Sequence, residues 1–228
     1  MKRSSKCVSV VSALCLLVAI LIGIIFMMSF NHGFYRYEYT KNHQAEVIGM
    51  SDDDLMKATT TLLDYLDDQR DDILVEANVN GSTREVFNER ETLHMIDVKA
   101  LCMHAKFVGG LLFLAGCVCA IWLYLKEKKK SFSYYAYGMK CGVCVIVVFV
   151  SLLAVYAIAD FYDFWMNFHY LFFDNDLFIL DPNTSIMINM FPESFFFDLV
   201  LCIMILYVIV IGASYSAIQF FAKKEEKR

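Results

Sequence analysis

Four stretches of this chain, residues 7–30, 107–125, 141–159 and 199–222, contain no Asp, Glu, Lys, Arg or His. Each supplies the roughly 17–25 apolar residues that carry an α-helix across a hydrocarbon core of about 30 Å. Lipid offers no partner to an exposed peptide group, so such stretches cross as helices that satisfy their own backbones. The pattern excludes a soluble globular fold and predicts a mainly α membrane protein with four transmembrane helices. It also accounts for a composition that is 58% hydrophobic and 20% charged, where soluble domains run near half and about a quarter.

The basic residues orient the helices. Twelve of the 20 Lys and Arg lie before residue 7, within 126–140 or after 222. Residues 31–106 carry eight basic against fifteen acidic side chains, and 160–198 carry seven acidic ones with no Lys or Arg. The positive-inside rule counts Lys and Arg in short loops. It places both termini and the 126–140 loop in the cytoplasm, and 31–106 and 160–198 outside. The net charge of −5 thus combines an acidic outer surface with a basic inner rim suited to anionic membrane lipid, and no nucleic-acid partner is indicated. The first stretch is too long for an ordinary signal core, and no small-x-small cleavage site follows it, so it reads as a retained helix. The eight cysteines lie in or beside the spans and read as packed or lipid-facing thiols. Cys141 and Cys144 have CxxC spacing, but a redox pair needs an electropositive, accessible site, and zinc needs two further ligands.

Residues 31–106 read as a small extracellular α/β cap. Ser51 followed by Asp52, Asp53 and Asp54 is a helix start with acids in its first turn. Leu55, Leu62, Leu63 and Leu66 then repeat at near-helical spacing to about Arg70. Two short strands, 73–79 and 83–87, flank Asn80-Gly81, a strong hairpin signal. From Asn88 the pattern is helical again, through Lys106 into the second span, with His94, Asp97, Leu101 and His104 along one face. The other outer segment, 160–198, has thirteen aromatic residues among the 37 from 161 to 197. It is too apolar for water and too interrupted to span, which predicts an aromatic segment lying along the membrane interface.

All five histidines fall in the outer segments. His32, His43 and His104 read as surface or interface residues. His94 has Arg90 one helical turn before it and Asp97 one turn after, so a carboxylate could orient its ring. His169 is a polar group among aromatics and needs a partner if buried. Spacing alone leaves two readings open: a catalytic pair, or a structural pair tying the cap to the interfacial segment. Two-histidine zinc binding is weaker, because no HExxH motif is present. Transport is disfavoured, because carriers place ionisable groups inside their spans and these spans have none.

At these histidines the sequence resembles a known family. Residues 87–98, FNERETLHMIDV, and 168–182, FHYLFFDNDLFILDP, continuing to 190–196, MFPESFF, look like the two signatures of the bacterial lipoprotein intramolecular transacylase family, Lit. The resemblance covers nearly the whole chain. It implies an acyltransferase of the cell membrane that acts on lipoproteins bearing a diacylglyceryl-cysteine with a free α-amine. The sn-2 acyl chain moves to that amine and leaves the lyso form. The resemblance further implies that His94 and His169 are catalytic and that Arg90, Asp97, Asn175, Asp176, Asp181, Pro192 and Glu193 are motif residues that bind substrate or support the site. No metal or cofactor is expected. His169 is expected to act as the base, with His94 as a partner polarised by Asp97. Arg90 is expected to pair with a motif carboxylate or, failing that, to stabilise an oxyanion. Phe178 stands where Trp is common in the family and Ser185 where Asp is common, and neither is expected to touch a histidine. The alternative is a membrane module that binds lipid or lipoprotein without catalysis.

Overall fold

The computed structural model describes residues 1–227. In chain order the elements are α1 Arg3–Ser29, α2 His32–Lys41, α3 Gln44–Ile48, α4 Asp52–Leu66, β1 Glu76–Val79, β2 Ser82–Glu85, α5 Glu89–Glu127, a 3-10 turn Lys128–Lys130, α6 Ser131–Ala159, α7 Phe161–Phe172, α8 Ile186–Met190 and α9 Glu193–Glu226. The chain divides into two compact units. One holds Met1–Phe26, Ala105–Ala159 and the chain from Leu201 onward; the other holds Met27–His104 and Asp160–Val200.

The first unit is a set of long helices whose apolar side chains face outward. Leu111, Phe113, Leu114 and Val118 on α5, and Val148, Leu152 and Val155 on α6, are exposed. In water that surface would aggregate; it suits lipid. Three continuous helical stretches, Arg3–Ser29, Glu89–Ala159 and Glu193–Glu226, are long and apolar enough to cross a membrane. The sequence pattern predicts four crossings, and the middle stretch shows why the two counts differ. Its 71 residues join α5 to α6 through the 3-10 turn, with Lys128 at a φ of 46°. The Tyr135 hydroxyl donates to the Ala120 carbonyl at 2.5 Å. Fifteen residues of straight helix would separate these groups by about 22 Å, so the chain reverses there.

Contacts across the unit give the directions of its helices. Ser5 donates to Glu127 and Ser12 to the Gly116 carbonyl, so α1 and α5 are antiparallel. The Lys2 backbone N–H reaches the Tyr134 hydroxyl, and Gly138 sits against the Ser9 backbone, so α1 and α6 are parallel. Glu225 accepts from Phe132 and Ser133, and Gln219 donates to the Ala136 carbonyl, so α9 runs back along α6. The approach at Gly138 demands glycine, because a methyl group there would collide with the Ser9 carbonyl. Ser5, Ser9 and Ser12 are buried along one stripe of α1, as expected where helices associate by close approach rather than by hiding oil from water.

The second unit is built as a soluble domain would be. The apolar face of α4 (Leu55, Ala58, Leu62 and Leu63) is buried, as are Ile73, Val75, Ala77 and Val79. Ser51 caps α4 by accepting from the Asp54 N–H at 3.0 Å. The helix ends at Leu66 rather than Arg70, because Asp67 and Asp68 oppose the negative end of the macrodipole and Asp68 turns to a φ of 64°. The hairpin forms with Glu76 opposite Glu85 and Val79 opposite Ser82. Asn80 and Gly81 both take the left-handed backbone, at φ 52° and 84°, that a two-residue turn of this hand requires. The strands are shorter than the sequence suggests. Leu74 N–H bonds the Asp72 carboxylate and Arg70 reaches the Leu74 carbonyl, so a polar turn takes up the first residues, although Val86 N–H still bonds the Val75 carbonyl. Helices α2, α3 and α8 were not legible as such. Tyr35 and Tyr39 of α2 pack with Phe191 and Phe195 at centroid separations of 5.1 to 6.4 Å, and the Tyr39 hydroxyl is bonded to Thr59 at 2.8 Å.

Candidate active site

The start of α5 is fixed before it can present a histidine. Asn88 Oδ1 accepts from the Glu91 N–H at 3.0 Å, and Glu91 Oε2 accepts from the Asn88 N–H at 2.5 Å. This is a reciprocal capping box. Glu91 is fully buried, and its other oxygen accepts from the Ser185 hydroxyl at 2.6 Å and the Met187 N–H at 2.7 Å. A buried carboxylate survives when donors replace its water. These three donors do so, and they bind the 185–187 turn to α5 one turn before His94. Glu91 was not among the expected site residues, though Asn88 with Glu91 three residues on is a readable cap.

His94 follows on α5 and is 5% exposed. His169 lies near the end of α7, which Asp160 caps. The two rings are 5.9 Å apart between centroids. The His169 Nδ1 lies 2.8 Å from the Trp165 carbonyl. A carbonyl only accepts, so Nδ1 carries the proton and Nε2 of the neutral ring is the free base. Aromatic rings enclose the pair. Phe173 meets His94 edge-on at 5.3 Å, Trp165 meets His169 edge-on at 5.1 Å, and Phe178 stacks on His169 at 4.8 Å and 29°. Phe178 also lies 6.4 Å from His94. The expectation that Phe178 stays clear of the histidines is therefore wrong: it is the ring in closest stacking contact with His169. Ser185 donates to Glu91.

Burial sets the protonation of both imidazoles. The His94 pKa is pushed down to about 4, first by desolvation and then by the charges of His169 and Arg90, while Asp97 pulls it up. His169 is also lowered by burial, partly offset by its bond to Trp165. Both rings are neutral at pH 7. The His94 Nδ1 is buried and, among the described residues, has no hydrogen-bond partner.

The other expected residues separate into two groups. Asp97 accepts from the Asn175 amide at 2.8 Å and acts on His94 through its charge. Arg90 donates to the Ile179 carbonyl at 3.1 Å and to the Asp176 carbonyl, and pairs with the Asp176 carboxylate at 3.3 Å. Arg90, Asp97, Asn175 and Asp176 therefore lie beside the histidines and fasten residues 174–180 to α5. Asp181, by contrast, shapes the turn before α8 by accepting from Asn183, and Glu193 opens α9, exposed, after Pro192. Of the remaining histidines, His32 meets Thr60 and His43 meets Glu46, while His104 is exposed. A cavity of about 390 Å³ lies against Arg84, Asn183, Ser185 and Asn189, and neither histidine lines it. Among the described residues no group of three or more His, Cys, Asp or Glu is placed to hold a metal ion.

These features define a helical integral membrane protein with a pair of neutral, aromatic-enclosed imidazoles. The sequence matches the family described as lipoprotein intramolecular transacylase Lit over residues 10–196, and the chain belongs to that family. Its fold is similar to that of the membrane integral lipoprotein intramolecular transacylase Lit from Bacillus cereus, with a TM-score of 0.79 at 17% identity over 98% of each chain. Two variants of that protein, with a histidine replaced by alanine or by arginine, match with TM-scores of 0.77 at 18% identity. They cover 99% and 98% of this chain, and 96% and 94% of theirs. No curated protein sequence matches the chain.

Proposed function

We propose that this chain moves the sn-2 acyl group of a diacylglyceryl-modified lipoprotein to the α-amine of the lipoprotein's N-terminal cysteine. The helices cross the cell membrane four times, with both termini cytoplasmic, and the histidine pair works at the outer face, where the lipidated cysteine resides. Membrane lipid and the lipoprotein are the partners, and the chemistry needs no cofactor. The observation that carries the reading is the His94–His169 pair within a member of this family, with the free base of His169 defined by its bond to Trp165.

The substrate brings its own nucleophile, so the site needs no Ser or Cys triad. An α-amine with a reference pKa of about 7.7–8.0 is about a tenth neutral at pH 7. Attack by that neutral nitrogen on the sn-2 ester carbon makes it strongly acidic, so even a weakened imidazole accepts its proton. His169 Nε2 takes it. The oxyanion of the tetrahedral intermediate needs a donor in a site without water. Neutral His94, whose low pKa keeps it uncharged, donates its ring N–H there. His169 returns its proton to the leaving glyceryl oxygen, the C–O bond breaks, and the products are an amide and a free sn-2 hydroxyl. The ring closed during attack runs through the amine, Cα, Cβ, sulfur, two glyceryl carbons, the ester oxygen and the acyl carbon. Closing it is entropically unfavourable in a floppy substrate. An aromatic pocket that folds the head group contributes through proximity, on the order of several kcal/mol. Arg90, engaged with Asp176 and Ile179, positions the site rather than the oxyanion.

Mass spectrometry of a lipoprotein's N-terminal peptide, from cells with and without the chain, tests this. Acyl migration to the amine is expected only with the chain present. An unchanged diacylglyceryl form in both would leave a lipoprotein-binding module as the better reading.

A further inference from the structure

The segment that returns from α7 toward α8 has the build of a latched cover. Its residues Asp174, Asn175, Asp176 and Ile179 are exposed, yet Phe178 between them is 7% exposed and lies against both imidazoles. Ile179 N–H to the Asp176 carbonyl and Leu177 N–H to the Asn175 side chain fold the segment into a tight loop. Two clasps hold it to α5. Arg90 grips Ile179 and Asp176 four residues before His94, and Asp97 holds Asn175 three residues after it. Both residues share a face with His94, so the loop is fastened on each side of that ring.

The clasps are weak where they show and the covered ring is needed where it is hidden. Arg90 is 42% and Asp176 77% exposed, and an exposed ion pair contributes little. The Nδ1 of His94 meanwhile is buried and, among the described residues, has no partner. No substrate atom can reach that nitrogen in this arrangement. Phe173 is anchored at the helix end, whereas Phe178 rides on the clasped loop. We infer that residues 174–180 form a displaceable cover, with Phe178 as its plug, which lifts from His94 and His169 when an acylglyceryl chain enters and takes the ring's place. This rests on the functional reading above.

Histidine acylation by diethyl pyrocarbonate tests the cover without using turnover. At pH 7.5 in detergent, His94 is expected to label at least tenfold more slowly than exposed His43 in the wild type. It should label at least tenfold faster in Arg90→Gln/Asn175→Ala than in the wild type, with His43 unchanged. Asn175→Ala alone removes the Asp97 clasp and the loop's bond from Leu177 N–H but keeps the grip of Arg90, and should give a smaller rise in the same direction. His94 labelling as fast as His43 in the wild type, or at one rate in all variants, would overturn the proposal. In the second arm, Asp97→Cys/Asn175→Cys is oxidised and the cross-link confirmed by mass, with each single variant as control. His94 should label at least tenfold more slowly in the cross-linked chain than in the same chain after reduction, with His43 unchanged. His94 labelling at one rate in both forms would show a fixed wall instead of a cover. If the wild type converts no diacylglyceryl lipopeptide, the functional reading fails, while the labelling ratio still decides whether the loop covers His94.

Discussion

The two compact units solve the problem of holding helices in opposite ways. In the first, contacts run from side chain to backbone across closely approaching helices: Ser12 to the Gly116 carbonyl, Tyr135 to Ala120, Tyr207 to Leu17. In the second, apolar clusters and side-chain clasps do the work, as in Tyr35 with Phe195, Tyr39 with Thr59 and Glu91 with Ser185. The difference follows from the solvent. Lipid tails are as apolar as leucine, so burying leucine against leucine gains little there, and close packing and hydrogen bonds remain. Where water is the alternative, each buried aromatic contributes through the hydrophobic effect. The proposed chemistry belongs to the second kind of region, where the histidines are enclosed by aromatics while the loop beside them is exposed.

The largest expected effect falls on the histidine pair. His94→Ala or His169→Ala should lower formation of the lyso form by about a thousandfold, within the range that a positioned acid or base contributes. Both proteins should stay folded, as judged by an unchanged melting temperature to within a few degrees. Normal product from both single variants would remove the imidazoles from the chemistry. Next comes Glu91. Glu91→Ala leaves the Ser185 hydroxyl and two backbone N–H groups without their buried partner, and should cost about 3 kcal/mol in the second unit. The readout is detergent-solubilised thermal unfolding followed by product formation. An unchanged melting temperature would mean that the capping box is ornamental.

A pH scan sharpens the same contrast. The folded His94 pKa, near 4, lies below the ordinary 6.5. As pH falls below 6.5 the unfolded chain gains a proton that the folded chain refuses. The folded state therefore loses relative stability between pH 6.5 and about 4, by up to about 3 kcal/mol. His94→Gln should flatten part of that slope, and an identical slope in the variant would place the titration elsewhere.

What the sequence revealed divides along the same line. The apolar stretches were legible because lipid imposes a length and bars charge, and Asn80-Gly81 was legible because few residue pairs tolerate two left-handed conformations. The histidines were legible as candidates from local spacing and family signature. Their environment was not. Phe178 on His169, Asn175 on Asp97 and Ser185 on Glu91 join residues between 9 and 94 positions apart, and no local period encodes such pairings. Helix α4 ends at Leu66, about one turn before the Arg70 that the spacing suggests, because the acids that mark its stop act from Asp67 onward.

The smallest effect belongs to the first unit, and it tests whether close approach really carries its stability. Gly138→Ala forces a methyl against the Ser9 carbonyl, so α1 and α6 must part slightly. Overpacking of this kind costs about 1–3 kcal/mol. Gly23→Ala is the matched control, because a methyl there meets nothing within 4 Å, and it should leave stability unchanged or slightly raised through the better helix propensity of alanine. Neither site touches a histidine, so both variants should convert lipoprotein normally at temperatures where they remain folded. If Gly138→Ala melts with the wild type, the α1–α6 contact yields easily and the bundle relies on other contacts. If it melts lower but Gly23→Ala does so equally, the loss belongs to the helices themselves and not to the approach between them.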